Sequence, residues 1–92
     1  MKSGVECKFL GQKAIAFQSK NENLVEMALE KFYPLVILWS YNFQQVEFTL
    51  YSDLIACDEL VKKITNLSYD SGRTKATGKT RLADFVKAFL AD

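Results

Sequence analysis

Leu35-Val36-Ile37-Leu38-Trp39-Ser40-Tyr41-Asn42-Phe43-Gln44-Gln45-Val46-Glu47-Phe48-Thr49-Leu50-Tyr51-Ser52 is the stretch that decides the fold. Leu35 to Tyr41 is an apolar, β-branched and aromatic run bounded by turn formers, which suits a central strand buried on both faces. Asn42 to Gln44 turns the chain. From Gln45 to Ser52 the residues alternate, with Val46, Phe48 and Leu50 on one side and Glu47, Thr49 and Tyr51 on the other, so this strand packs one face and solvates the other.

Working outward toward the N-terminus, Val5 to Leu10 and Lys13 to Gln18 are short alternating segments joined at Gly11-Gln12, the pattern of a hairpin of two antiparallel strands. Ser19 to Glu22 fits a capping box, and Leu24, Val25, Ala28, Leu29 and Phe32 follow at helical spacing with Glu22, Glu26 and Glu30 on another face. That helix is predicted to run to about Tyr33, where Pro34 ends it. Toward the C-terminus, Cys57, Leu60, Val61, Ile64 and Leu67 make a second helical stripe, entered at Ser52, Asp53 or Asp58, with Glu59, Lys62 and Lys63 outward. Ser68 to Gly78 reads as loop, and Thr80 to Leu90 as a last helix with Leu82, Phe85, Val86, Phe89 and Leu90 as its apolar face. The expected order is ββαββαα: one α+β domain over residues 1–92, a four-stranded, largely antiparallel sheet with its helices packed on one face.

Composition sets the outer bounds. Ninety-two residues fit one domain of roughly 12 Å radius of gyration, and 49% hydrophobic with 25% charged residues is an ordinary globular balance. Twelve Lys and Arg against eleven Asp and Glu leave a net charge of +1, so any electrostatic binding is local. The run Leu35 to Trp39 is far shorter than a membrane span and Met1 to Gly11 lacks the apolar core of a signal peptide, which together predict a cytoplasmic protein with no membrane association. Cys7 and Cys57 have no Cys-x-x-Cys spacing and are expected as reduced, packed thiols. The chain contains no histidine, which removes His-based acid–base catalysis, the Ser-His-Asp and Cys-His arrangements and most transition-metal sites.

Ser71-Gly72-Arg73-Thr74-Lys75-Ala76-Thr77-Gly78-Lys79-Thr80-Arg81 is compositionally unusual, with four basic residues, two glycines and no acid. A phosphate-binding P-loop has four residues between its glycines; here five separate Gly72 from Gly78, Arg73 stands where the glycine belongs, and no strand is predicted ahead of it. A nucleic-acid contact is the other functional reading: Arg73, Lys75, Lys79 and Arg81 on phosphates, with Tyr69 stacking on a base. The plainer reading is a solvated connection that caps the last helix at Thr77 or Thr80.

The string Gln45-Val46-Glu47-Phe48-Thr49-Leu50, followed by Asp58-Glu59-Leu60, Ile64, Leu67, Tyr69, Gly72-Arg73-Thr74 and Thr77-Gly78, resembles the middle of a von Willebrand factor type A domain, the family that includes the integrin inserted domains. The resemblance covers roughly Leu35 to Leu82, about half of the chain. It implies an adhesion-type fold in which a threonine of a glycine-rich loop, matched by Thr74, binds a divalent metal. The chain departs from that pattern where the family begins its metal site with Asp-x-Ser-x-Ser: Phe9 to Ile15 supplies neither the aspartate nor the serines. One threonine cannot hold a cation that takes about six oxygen ligands, so the resemblance implies an adhesion fragment without a metal. The family's domains are parallel-stranded and about twice as long as this chain.

For function, Glu47, Asp53, Asp58 and Asp70 have no spacing that pairs them as acid and base, and Cys57 falls on an apolar stripe, so no catalysis and no cofactor are expected. Seven Phe, four Tyr and one Trp in so small a chain point instead to protein contact. Tyr33, Trp39, Tyr41, Phe43, Tyr51 and Tyr69 are the candidate partner-binding residues. A non-catalytic protein-binding module is the expectation, of which a stand-alone inhibitor or immunity-type protein occluding a larger partner is one form. Nucleic-acid binding through residues 71–81 is the alternative, and a domain this small also gains stability by self-association.

Overall fold

The computed structural model describes residues 4–52, 67–70 and 74–90. Its elements are β1 (Val5–Phe9), β2 (Gln12–Phe17), α1 (Asn23–Glu30), β3 (Leu35–Asn42), β4 (Gln45–Ser52), β5 (Leu67–Asp70), β6 (Thr74–Arg81) and α2 (Leu82–Leu90). The strands form one sheet in the order β1-β2-β3-β4-β6-β5. β2 and β3 run parallel, with α1 as the crossover between them, and every other neighbouring pair is antiparallel. The result is a small α+β domain with a mixed sheet and a radius of gyration of 11.9 Å.

β3 is central and buried on both faces, as its unbroken apolar run predicts: Leu35, Val36, Ile37 and Leu38 all lie in the interior. β4 pairs with it in register from Leu35 opposite Ser52 to Asn42 opposite Gln45, leaving Phe43 and Gln44 as a two-residue turn. Because side chains alternate across a strand, each face of the sheet has its own core. On one face Leu35, Ile37, Val46, Phe48 and Leu50 pack under Phe85 and Ala88 of α2. On the other, Ile15, Phe17, Val36 and Leu38 pack under Val25 and Ala28 of α1.

This corrects the expected layering, since the helices cover opposite faces. The parallel β2-α1-β3 crossover places α1 on one side, while α2 leaves the far end of β6 and crosses the other side. The expected loop Ser68 to Gly78 is also corrected: most of it is β5 and β6, so the sheet exceeds four strands and the order ββαββαα does not hold. The physical reason is an alternation of charged with small residues. Lys75, Thr77 and Lys79 share one face of β6, while Ala76, Gly78 and the buried Thr80 share the other, with Gly78 opposite Phe48. Pairing with β6 satisfies the backbone of β4, whose other edge is already taken by β3. The helical stripe from Cys57 to Ile64 lies outside the described residues, and Leu67, read as its last member, opens β5.

Four boundaries move as well. The first hairpin turns at Leu10-Gly11, both at positive φ (48° and 84°), one residue earlier than expected and with the sign pattern that suits a two-residue hairpin. The capping box does not form: Ser19 Oγ accepts from the Asn21 amide, Asn21 Oδ1 accepts from the Asn23 amide, and α1 starts only at Asn23. α1 also ends early. The Tyr33 amide donates to the Ala28 carbonyl and the Phe32 amide to that of Leu29, a Schellman motif with Phe32 at φ 65° in the position glycine usually takes. α2 begins at Leu82, two residues later than expected, with Asp84 in its first turn and Lys87 in its last, both favourable to the helix dipole.

Candidate functional site

On the α1 face, the segment entering α1 and the ends of β3, β4 and β6 leave a cleft of about 400 Å³ lined by Lys20, Glu22, Leu38, Glu47, Tyr51 and Lys79 among others. Its charges are matched in pairs. Glu47, at the solvent end of β4, meets Lys20 through Oε2 at 3.0 Å and Lys79 through Oε1 at 3.4 Å, and Asn42 Nδ2 donates to the same Oε1 at 2.7 Å. The hydrogen bonds from Lys20 and then Asn42 hold the Glu47 carboxyl down at about 2. Lys75 reaches Glu22 at 3.3 Å and lies 5.4 Å above the Tyr51 ring. Tyr51, followed by Lys75, keeps the Glu22 carboxyl below its ordinary range, whereas burial and then Glu22 push the Tyr51 hydroxyl up. Such an arrangement holds segments together.

A different surface forms at the end of the molecule where the β3–β4 turn meets α2. The Leu82 amide donates to the Gln44 carbonyl at 3.4 Å, tying the start of α2 to that turn. Trp39 is half-buried, edge-on to Tyr41 at 5.1 Å and tilted against Phe85 at 6.0 Å. Tyr41 is 52% exposed and Phe43, at the turn with φ 57°, is 98% exposed. Leu82 and Val86, one helical turn apart on α2, are exposed at the same end.

The aromatic residues singled out from the sequence therefore divide. Trp39 and Tyr41 meet at one end of the sheet, and Phe43 follows them at the adjoining turn. Tyr33 is buried, its hydroxyl donating to Glu6 and its ring 5.3 Å below the Lys13 ammonium. Tyr51 is buried beneath Lys75 on the opposite face from Trp39. Tyr69 belongs to β5, and its side chain lies outside the described residues. Of the basic residues, Lys75 and Lys79 carry carboxylate partners, Arg81 is exposed at the end of β6, and Arg73 lies outside the described residues. Thr74, matched to a metal-binding threonine by the family resemblance, opens β6 opposite Ser52.

Leu82 and Val86, expected on the apolar face, are exposed, so sequence reasoning misses them as surface. A helix lying on a sheet buries a narrow stripe, here Phe85, Ala88 and the half-buried Phe89, and the small Ala88 in that stripe was the available signal. Cys7 is a half-buried free thiol whose pKa burial raises. Among the described residues no group of three or more Cys, Asp and Glu is placed to hold a metal ion, and no helix is long and apolar enough to cross a membrane. No family model matches this chain, and neither a curated protein nor a solved structure matches it.

Proposed function

We propose that this chain is a non-catalytic protein-binding domain that seats a partner protein on the end formed by Tyr41, Phe43, Leu82 and Val86. The observation that carries this reading is Phe43. It holds a bulky side chain at positive φ, which costs about 1 kcal/mol or more, and leaves its ring in water, so it returns nothing to the fold. Phe32 shows the same combination, but Phe43 shows it at the end that also exposes Tyr41, Leu82 and Val86, and a contact made outside the chain accounts for the four together. Aromatic anchors of this kind carry much of the energy at protein interfaces, and Trp39, wedged between Tyr41 and Phe85, gives the patch a rigid base. An inhibitor or immunity-type role, in which this end occludes a larger partner, is the form we favour.

Nucleic-acid binding through the basic stretch has less support. Glu22 and Glu47 neutralise Lys75 and Lys79, and phosphate contact would have to compete with those pairs. The von Willebrand type A resemblance rests on residue matches alone, and Thr74, which it assigns to a glycine-rich loop, is paired with Ser52 in the β6 ladder.

The test is capture of partners from lysate of the source organism, with and without nuclease and at two salt concentrations, by the native chain and by Tyr41→Ser/Phe43→Ser. The expected result is a protein retained through nuclease and moderate salt by the native chain and lost by the double variant. Capture that the double variant keeps, or that nuclease abolishes, overturns the reading.

A further inference from the structure

Among the described residues only β2 pairs with β1, which leaves the other edge of β1 without a strand partner there. The β1–β2 turn has two residues, so the closing pair Phe9–Gln12 and every second pair behind it, Cys7–Ala14 and Val5–Ala16, direct their backbone groups into the ladder. The amides and carbonyls of Glu6 and Lys8 therefore point away from the sheet. No proline or bulge blunts this short edge, whose guards are the charges of Glu6 and Lys8.

We infer that β1 is a homodimer interface, in which two copies pair this strand antiparallel about a two-fold axis at Cys7. Backbone geometry and charge select this register together. Outward-facing groups must meet outward-facing groups, which allows Glu6 opposite Glu6, Lys8 opposite Lys8, or Glu6 opposite Lys8 of the second copy. The first two set like charges directly across from each other, and only the third sets opposite charges there, twice, by symmetry.

Lys8 stands directly across from Lys13 of β2, a like-charge pair within one sheet. Glu6 of the second copy falls on the other side of Lys8, on the same face, and supplies the opposite charge. The interface is independent of the partner surface around Phe43, which lies at the β3–β4 turn. Two five-residue strands make a contact below the roughly 1,000 Å² of a stable interface, so the dimer is expected to be in concentration-dependent exchange.

The test is sedimentation velocity on the whole chain between about 10 µM and 1 mM, the range suited to so small a contact. Glu6→Lys and Lys8→Glu are each expected to weaken association about tenfold or more, since each replaces two attractive pairs by two repulsive ones. An equimolar mixture of the two variants restores it, and so does the exchanged Glu6→Lys/Lys8→Glu chain. Thermal unfolding of each variant checks that it is folded. In a Cys57→Ser background, diamide, which accepts the two thiol hydrogens, is expected to cross-link the dimer through Cys7, because residues facing each other at such a position have Cα atoms about 4.5 Å apart, within disulfide reach. A chain that stays monomeric throughout this range overturns the proposal. So does a dimer that is indifferent to the charge reversals or gives no Cys7 cross-link.

Discussion

The Lys20 ammonium stands 3.0 Å from the Glu47 carboxylate, joining the segment ahead of α1 to β4 across the sheet face. Lys79 and Asn42 complete the ring around the same carboxylate, bringing β6 and the end of β3 to it. One acidic side chain thus ties together three strands and the entry to a helix. The charge ring leaves nearby basic residues with less free potential than their number in the sequence suggests.

The Glu47 carboxyl lies at about 2, below its ordinary 4.5. A lowered carboxyl pKa means that the folded state binds its proton more weakly than the unfolded state, so the stabilisation is fully present above 4.5 and is lost as pH falls through 2. Glu47→Gln is expected to be less stable than the native chain at neutral pH. Urea denaturation at a series of pH values should show that difference shrinking below 4.5 and vanishing near 2. A gap that persisted unchanged at the acid end would mean that Glu47 acts through packing and not through its charge. The difference should be modest, because the surrounding lysines are largely in water.

Phe32 ends α1 at φ 65° with its ring 89% exposed. Glycine carries no β-carbon to clash in this conformation, so Phe32→Gly should raise stability by about 1 kcal/mol, while Phe32→Ala keeps the clash and gains nothing comparable. Chemical denaturation of the two variants side by side checks this. Equal stabilities would show that the backbone conformation at residue 32 costs little.

Phe85 and Phe43 should respond oppositely. Phe85 is buried against Trp39, Phe48 and Phe89, and Phe85→Ala is expected to cost about 3–5 kcal/mol, a large share of the total stability of a domain this size. Phe43→Ser should stay within about 0.5 kcal/mol of the native chain, since the ring packs against nothing that unfolding would release. If Phe43→Ser unfolded the domain, its ring would be structural and the proposed partner surface would lose its main support.

What the sequence disclosed follows from where the signals were local. The β3–β4 hairpin was legible because an unbroken apolar run and a clean alternation are properties of adjacent residues, and Val46, Phe48 and Leu50 all lie in the interior. β6 was not legible, because its lysines and glycine are depleted in strands and Ala76 is its one apolar residue, so the alternation and the threonines do not stand out until a neighbour such as β4 supplies hydrogen bonds and Phe48 pairs with Gly78. The sidedness of the helices depends on the parallel β2–β3 pairing, a long-range choice that no local pattern carries. For the candidate surface, aromatic content pointed to Trp39, Tyr41 and Phe43 but equally to Tyr33 and Tyr51, whose rings the α1-side core absorbs. Residue type indicates what can anchor a contact, and only the fold separates the exposed anchors from the buried ones.

Gly4, immediately before β1, provides a test of how that edge strand is held. A β-carbon there would stand 2.7 Å from Phe17 Cε1 and from Ile15 Cδ1, closer than carbon atoms approach without one of them moving. Both side chains belong to the core under α1, and Phe17 is a rigid ring with almost no exposure, so neither can swing aside into solvent. Gly4→Ala is therefore expected to destabilise the domain by about 1–3 kcal/mol, the cost of overpacking. The strain enters at the end of an edge strand held by a single neighbour, so the loss should be local first. Amide hydrogen exchange should speed up for the β1 residues whose backbone faces β2, such as Cys7, while Ile37 and Leu50 in β3 and β4 remain protected. A uniform rise in exchange across all strands would instead mean that β1 and the central strands open as one unit.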